Sequence, residues 1–306
     1  MTSSVVDVAT IVGVMDQIDK FVGGKGDWQS LTDDQRRLLD IRAEISQDVG
    51  RLRHVEGMAS NDADALNAFM IERHFETRFD SLSPPEQFGA VSTISERTHW
   101  PDPGFSVGIL SNGIEYHGFR LWERENYWNL PDGSIVVRMP HSPSDESIMW
   151  LMAGESLPPT DSPLAMFIAA QNALVVTESA VPERYRTISL PEEHIDTTIK
   201  LDWFVGISRV GAVIADARQE AHLRVDRTGS EARVATVTLV ASVSFMPNQI
   251  DILVDAPHIA FWTDADVPML PLAVARFEKD SWTLWDHERA KSENGQRDTN
   301  RHGLAQ

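Results

Sequence analysis

The chain has 306 residues, of which 42% are hydrophobic and 24% are charged, a balance typical of a folded globular protein. Its 27 basic and 46 acidic residues give a net charge of -19, and no basic stretch with interleaved aromatic residues is present to follow a phosphate backbone, so nucleic acid is excluded as an expected partner. The absence of cysteine excludes disulfides, thiolate metal sites and cysteine nucleophiles.

The sequence contains no signal that directs it to a membrane. No stretch approaches eighteen uninterrupted apolar residues, so we expect no membrane-spanning segment. The first apolar stretch is interrupted by Asp7 and Asp16 and follows no basic region, which is unlike a secretory signal peptide. A cytoplasmic location is therefore the default expectation for the chain as given.

Helical spacing of apolar residues predicts three helices in the first third of the chain. The first follows Ser4, and the second begins at Thr32, where Gln35 completes a capping-box pattern. The third is predicted to begin at Pro84, because proline suits the first turn of a helix, and to end near Trp100. The apolar positions that define the first two helices are Val5, Val8, Val12 and Met15, then Leu38, Ile41, Ile45, Val49 and Leu52.

From Phe105 onward the sequence changes to short runs rich in valine, isoleucine and threonine, which predict strands. The exception is the apolar stretch from Pro163 to Leu174, which predicts a helix packed on a sheet. Residues 287–306 are polar and predict a flexible tail. We therefore expect a single mixed α and β domain over residues 1–286, with N-terminal helices, a large central β-sheet and smaller sheets.

The sequence offers no catalytic or metal-binding constellation. Its ten histidines include no pair three or four residues apart that would share a helix face. The stretch from Gly206 to Gly211 departs from a nucleophile elbow, because its second glycine comes one residue too late. Asp264 and Asp266 fall in a polar turn, where acidic side chains are favoured for local reasons. We therefore predict that the protein is not an enzyme and binds no metal and no cofactor.

The most informative segment runs from Ala221 to Ser244. It begins as a strand and continues as a long run of small and β-branched residues without proline or a bulky aromatic residue. On composition alone an ordinary hairpin arm is the favoured interpretation, although so long a segment is an aggregation hazard unless the native protein uses it. Alternation along a strand places these small residues on one face: Ser230, Ala232, Val234, Thr236, Thr238 and Val240.

The beginning of this small-residue run resembles the hinge and reactive loop of the serpins. In that family a glycine, a serine or threonine, a glutamate and small residues follow a strand, and here these are Gly229, Ser230, Glu231 and Ala232. Other serpin-like motifs follow the family order: a strand motif at 110–118, a strand pair at 135–141 and 147–152, the carboxy-terminal signature at 254–262 and the last buried strand at 272–277. Residues 94–98 are similar to the end of the helix that lies across the serpin sheet, and the resemblance covers about residues 105–278.

The resemblance implies a serpin fold with an exposed reactive loop at about residues 229–247. It implies inhibition of a serine protease with an elastase-like or chymotrypsin-like preference, by cleavage of the loop and its insertion into the central sheet. The implied scissile bond is Val243–Ser244, with Phe245 or Met246 as alternatives. A non-inhibitory binding protein of the same fold, whose loop stays exposed or is already inserted, is the alternative function.

The resemblance also places Asn112 at the point where the central sheet opens, with a hydrogen bond across the gap between central strands. Local chemistry instead favours a hairpin turn, because Asn112 is followed by Gly113. We further expect a monomer.

Overall fold

Four helices and eighteen strands form in the part of the chain that the computed structural model describes, which is residues 3–24, 26–83, 87–122, 125–159, 162–232 and 250–285. The helices are α1 (Val8–Phe21), α2 (Asp33–Val49), α3 (Ala63–Glu72) and α4 (Pro163–Ser179). The strands are β1 (Ser4–Val6), β2 (Glu56–Ser60), β3 (Gly89–Thr93), β4 (Glu96–His99), β5 (Phe105–Ser111), β6 (Ile114–Leu121), β7 (Asn126–Asn129), β8 (Ile135–Arg138), β9 (Ser147–Ala153), β10 (Glu183–Pro191), β11 (Glu193–Lys200), β12 (Ser208–Arg209), β13 (Ala212–Val213), β14 (Arg218–Asp226), β15 (Gly229–Ala232), β16 (Ile250–Leu253), β17 (His258–Asp264) and β18 (Val267–Phe277).

The strands assemble into two principal sheets. The larger has ten strands in the order β1-β18-β17-β9-β8-β7-β10-β6-β5, with β16 added beside β10. Its neighbouring strands are antiparallel except for β10 and β16, which are parallel. The smaller sheet has the antiparallel order β11-β14-β15-β4, and two further strand pairs, β2-β3 and β12-β13, lie outside both sheets.

One continuous hydrophobic core joins the helices to the sheets. Helix α1 buries Val8, Val12 and Met15 completely and packs against β2 and β3, while α4 packs against β1 and β18. A smaller cluster around Leu66 and Val91 lies between α3 and β3. None of the helices in the described ranges is long and apolar enough to cross a lipid bilayer.

Three of the sequence predictions for helices are confirmed. The first helix forms, although Asp7 caps it and Val5 belongs to β1 because it pairs with β18. The second helix begins as predicted, since the Thr32 hydroxyl accepts a hydrogen bond from the amide of Gln35 at 3.2 Å. The apolar stretch from Pro163 forms α4 and continues five residues beyond Leu174 to Ser179.

The predicted third helix is wrong. Residues 89–93 and 96–99 form β3 and β4, and the serpin-like helix end at 94–98 lies in this strand region. Buried and partly exposed residues alternate along both strands, as is typical of a strand with one face in the core. This alternation decides the structure of residues 89–99, although the prolines before them indicate the start of a helix. Residues 84–86, which include these prolines, lie outside the described part of the chain. Helix α3 was not predicted, because only Leu66 and Met70 of its ten residues are buried.

A buried ion network ties α1 to α2 and to the β12-β13 pair. The Asp19 carboxylate accepts a hydrogen bond from Arg42 at 2.7 Å and another from the Arg209 guanidinium. The indole of Trp28 also donates to Asp19 at 3.1 Å, and Arg42 makes a second ion pair with Asp16 at 2.6 Å. Because the Asp19 side chain is 4% exposed, its charge depends on these partners rather than on water.

Replacing Asp19 with alanine is expected to lower the free energy of unfolding by about 3 to 5 kcal/mol, because two buried guanidinium groups lose a common partner. Urea denaturation of Asp19→Ala measures the change. The matched control is Asp33→Ala, which removes the exposed partner of Arg36 and is expected to leave stability nearly unchanged. Equal effects of the two substitutions would contradict this role of Asp19.

Candidate functional site

Strand β15 lies between two strands from distant parts of the chain. Ser230 pairs with Val225 of β14 on one side and with Thr98 of β4 on the other. The pairing with β4 continues to Ala232, which lies opposite Glu96. The hinge segment Gly229–Ala232 is therefore part of the four-stranded sheet, because both flanking strands offer backbone groups to pair with it. The serpin resemblance implies instead an exposed loop that inserts into the large central sheet, so the structure corrects both the state of this segment and the sheet to which it belongs.

Hydrogen bonds fix the turn that leads from β14 into β15. The Asp226 carboxylate accepts from the amide and the hydroxyl of Thr228 at 2.7 and 2.6 Å. The Trp100 indole donates to the Asp226 carbonyl oxygen at 2.7 Å, and the amide of Gly104 donates to the Arg227 carbonyl oxygen at 2.6 Å. The turn is thus anchored to the segment that follows β4, which sets the register of the hinge segment.

Gly229 lies so close to β4 that a larger residue does not fit. A Cβ atom at this position would lie 2.5 Å from the carbonyl oxygen of Thr98 and 3.3 Å from Cα of His99. Both are backbone atoms, which move only if β4 itself moves. Glycine is required here for the close approach of two strands.

Ser230 is the first residue of β15 that lies on the inward face of the sheet, and it is 1% exposed. Its hydroxyl accepts a hydrogen bond from the indole nitrogen of Trp262 on β17 at 3.1 Å. The neighbouring Thr98 is fully buried, and its hydroxyl lies 3.3 Å from both the carbonyl oxygen and the hydroxyl of Ser147. A small polar side chain is therefore accommodated at Ser230 with its hydrogen bond satisfied.

Glu96 is a buried acid beside the end of the hinge segment. It is 1% exposed, and its Oε1 atom has no hydrogen-bond partner among the described residues. Burial, followed by the negative charge of Asp264, raises the pKa of Glu96 to about 8, although a hydrogen bond with Ser147 acts in the opposite direction. The carboxyl group is therefore largely protonated at neutral pH.

A groove of about 1310 Å³ lies along β14, beyond the residues of β14 that pair with the hinge segment. One wall is formed by residues 211–223 and the other by residues 87–95, while Ile11, Val14 and Ile18 of α1 line it from beneath. On the side that faces the groove, β14 pairs with β15 only at residues 224–226. Within the described ranges, the rest of β14 thus pairs with β11 alone, which leaves a free strand edge along the groove.

The segment that follows α3 is fastened to β14 in the wall of this groove. The Glu220 carboxylate accepts hydrogen bonds from the amides of Glu76 and Thr77 at 2.7 and 2.6 Å, and it lies 2.8 Å from Nε2 of His222. Burial opposes ionisation of Glu220, but hydrogen bonds with Glu76, Thr77 and His222 together outweigh it and lower its pKa to about 2. Glu220 therefore remains a charged anchor at neutral pH.

Asn112 lies away from the hinge segment, in the exposed turn between β5 and β6. Its φ is 50°, and Gly113, which follows it, has a φ of 79°. These are the positive values of a two-residue hairpin turn, and Ser111 pairs directly with Ile114 across it. The prediction that Asn112 bonds across the gap between central strands is wrong, because the local Asn-Gly turn decides its conformation.

The candidate scissile residues Val243 and Ser244, with the alternatives Phe245 and Met246, lie outside the described residues and stay predictions. In the part of the chain that the structure describes, no group of three or more histidine, aspartate or glutamate side chains is arranged to hold a metal ion.

Three residues of the site are not predicted from the sequence: Trp262, Glu96 and Thr98. Trp262 lies in the run that resembles the serpin carboxy-terminal signature, and nothing in that run shows that its indole reaches the hinge segment. Glu96 and Thr98 are both buried on one face of a four-residue strand. Their alternation was the available signal, but it was outweighed by the helix predicted from the prolines before it.

Comparison with solved structures shows that the chain has the serpin fold. Tengpin, a thermophilic serpin in its native state, matches with a TM-score of 0.57 at 10% identity, over 93% of this chain and 89% of that one. Mouse protein-Z dependent protease inhibitor matches with a TM-score of 0.55 at 9% identity, over 90% of each chain. Thyroxine-binding globulin in complex with thyroxine matches with a TM-score of 0.51 at 10% identity, over 88% of this chain and 97% of that one.

No protein-family model and no curated protein matches the sequence. The likeness is therefore one of fold. The roles named for two of the matched structures are protease inhibition and thyroxine binding, neither of which is enzymatic.

Replacing Gly229 with alanine is expected to weaken the pairing of β15 with β4 by on the order of 1 to 3 kcal/mol, because the new methyl group meets backbone atoms. Hydrogen exchange of the amides of residues 229–232 is expected to accelerate accordingly. The matched control is Gly50→Ala, whose added carbon would lie 3.5 Å from its nearest neighbours on a helical backbone. Unchanged exchange in Gly229→Ala would show that the close approach does not constrain the hinge segment.

Proposed function

We propose that this chain, which has the serpin fold, inhibits serine proteases by inserting its cleaved reactive loop into the four-stranded sheet. The observation that carries the proposal is the position of β15, which already pairs with β14 and β4 and buries Ser230 between them. Strand β15 is the beginning of the long run of small residues. Its position in the sheet therefore supports insertion of the residues that follow it.

The groove supports the same mechanism, because it lies along the free edge of β14, beyond the residues that pair with β15. If the pairing continues in the same register, Val234 would lie opposite Ala221 and Thr236 opposite Gln219. Ala221 and Leu223 are buried on the inward face of β14, where the small alternating residues of the loop would pack. The growing strand would gain backbone hydrogen bonds along its whole length.

In the proposed reaction the serine hydroxyl of the protease attacks the carbonyl carbon of Val243. An ester bond to the protease forms, the peptide bond breaks, and the amine of Ser244 leaves with the proton. The new end of the loop is then free to enter the groove. Because β15 already ends at Ala232, the eleven residues from 233 to 243 would enter, and at about 3.3 Å per residue they would carry the attached protease on the order of 35 Å. Inhibition requires this movement to precede attack of water on the ester.

A non-inhibitory binding protein of the same fold is the second candidate. In one form of this alternative the loop is already inserted in the intact chain. The pairing of β15 with β4 before any cleavage favours this form. Thyroxine-binding globulin, which matches this chain in fold, is named for a bound small molecule. The two candidates differ in whether cleavage of the loop leads to further insertion.

Incubation with elastase-like and chymotrypsin-like serine proteases, followed by denaturing electrophoresis, tests the proposal. An inhibitor is expected to form a covalent complex with the protease. After cleavage between residues 243 and 246, its thermal unfolding temperature is also expected to rise steeply. A chain that is merely cut, with no complex and no gain in stability, would support the binding protein instead.

Ser230→Arg is expected to convert the inhibitor into a substrate. Burying an unpaired charge at the first inward position of the strand is unfavourable, so insertion would become slower than hydrolysis of the ester. The measurement is the ratio of covalent complex to cleaved chain on a denaturing gel. The matched control is Ser230→Thr, which keeps the hydroxyl that accepts from Trp262 and is expected to keep the complex. A complex formed equally well by Ser230→Arg would exclude Ser230 as the entry point.

A further inference from the structure

The geometry points to proton-dependent control of the hinge segment by Glu96: β15 stays paired with β4 while this carboxyl is protonated and leaves the sheet when it ionises. The inference rests on the proposed function only for the role of β15 as a hinge. It concerns the intact chain, without protease and before any cleavage.

Glu96 occupies the position of β4 that lies opposite Ala232, the last described residue of the hinge segment. The side chain is 1% exposed, and one of its oxygen atoms has no partner within the described ranges. A protonated carboxyl in this place leaves a polar atom unsatisfied, whereas a carboxylate leaves a buried charge unpaired, which is far more unfavourable. The paired arrangement therefore selects the protonated form.

Three acidic groups raise the pKa of Glu96, and one of them, Glu146, is itself paired with Arg53 and His54. Asp264 at the end of β17 acts most strongly, followed by Asp7 at the beginning of α1 and Glu146 just before β9. The hydroxyl of Ser147 acts in the opposite direction, with an effect smaller than that of burial or Asp264 but larger than that of Asp7 or Glu146. Ionised Glu96 would thus be repelled by carboxyls of three different elements.

The strand that yields to this repulsion is β15 and not β4. Strand β4 is fastened from behind, since the hydroxyl of Ser147 donates to the Arg97 carbonyl oxygen at 2.6 Å and the amide of His99 donates to Asp145 at 2.6 Å. Strand β15 also has four residues, but its side-chain bond to the core is the one that Trp262 donates to Ser230, and the groove lies along β14 beyond the residues that pair with it. Its departure would open Glu96 to water, while β4 stays in place.

The sign of the pH dependence follows from the two states of the hinge. With β15 paired, the pKa of Glu96 is about 8, and with β15 released it returns toward the ordinary value of 4.5. At a pH between these two pKa values, Glu96 carries a proton when β15 is paired and has lost it when β15 is released. The equilibrium constant for pairing therefore falls by up to about tenfold for each unit of rising pH. Pairing is strongest below the lower value and reaches a constant minimum above the upper one.

Hydrogen exchange of the intact chain from about pH 5 to about pH 9 tests the inference, with each rate corrected for the intrinsic base catalysis of exchange. Protection of the amides of residues 229–232 is expected to fall by up to about tenfold per unit pH. Amides of β17 serve as the internal reference for global unfolding. In Glu96→Gln, which mimics the protonated acid, protection is expected to stay constant across the range.

The matched control is Glu193→Gln, which changes another buried glutamate, one that pairs with His258 at 3.2 Å and lies on β11, separated from β15 by β14. This variant is expected to keep the pH dependence at residues 229–232. A flat profile in the wild type, or the same fall in wild type and Glu96→Gln, would overturn the inference. A failure of the proposed function is seen separately, as the absence of a covalent complex with protease.

Discussion

The distance between β14 and β4 is the constraint on which the rest of the site depends. One strand lies between them, its first residue has no room for a side chain, and its first inward residue is a small, buried serine. At Gly229 a Cβ would collide with the backbone of β4, and at Ser230 the hydroxyl has a partner in Trp262. The space between the two strands thus limits which residues can occupy the start of β15.

The two flanking strands keep their separation because each is held by a different part of the core. Strand β14 is bound to the beginning of α1, where the Gln219 side chain accepts from the Asp7 amide at 3.0 Å and donates to its carbonyl oxygen at 3.1 Å. Strand β4 is bound to the segment around Ser147. Each flanking strand thus has contacts with the core besides its pairing with β15, which is the arrangement that the proposed movement of the hinge segment requires.

Much of the fold was accessible from the sequence, because long apolar periods and a capping pattern fix α1, α2 and α4 by local chemistry. The hinge motif was also found, since its small residues and Gly229 are readable along the chain. What the sequence did not show is set by distant partners. The burial of Glu96 is indicated locally only by alternation over the four residues of β4, and the pairing of β15 with β4 joins residues more than a hundred positions apart. The prediction for Asn112 was wrong although the local sequence indicated the correct structure. The Asn-Gly pair favours a hairpin turn, but the resemblance to the serpins was given more weight.

The hydrogen bond between Trp262 and Ser230 gives the molecule an optical reporter of its own conformation. Trp262 is fully buried on β17, a strand that does not take part in the movement, yet its indole nitrogen is bonded to the hinge segment. Withdrawal of β15 would remove that partner from one indole and change its emission, while the ring keeps its place in the core. The difference between the emission spectra of the wild type and Trp262→Phe would therefore follow the hinge in solution, in real time and without any added label.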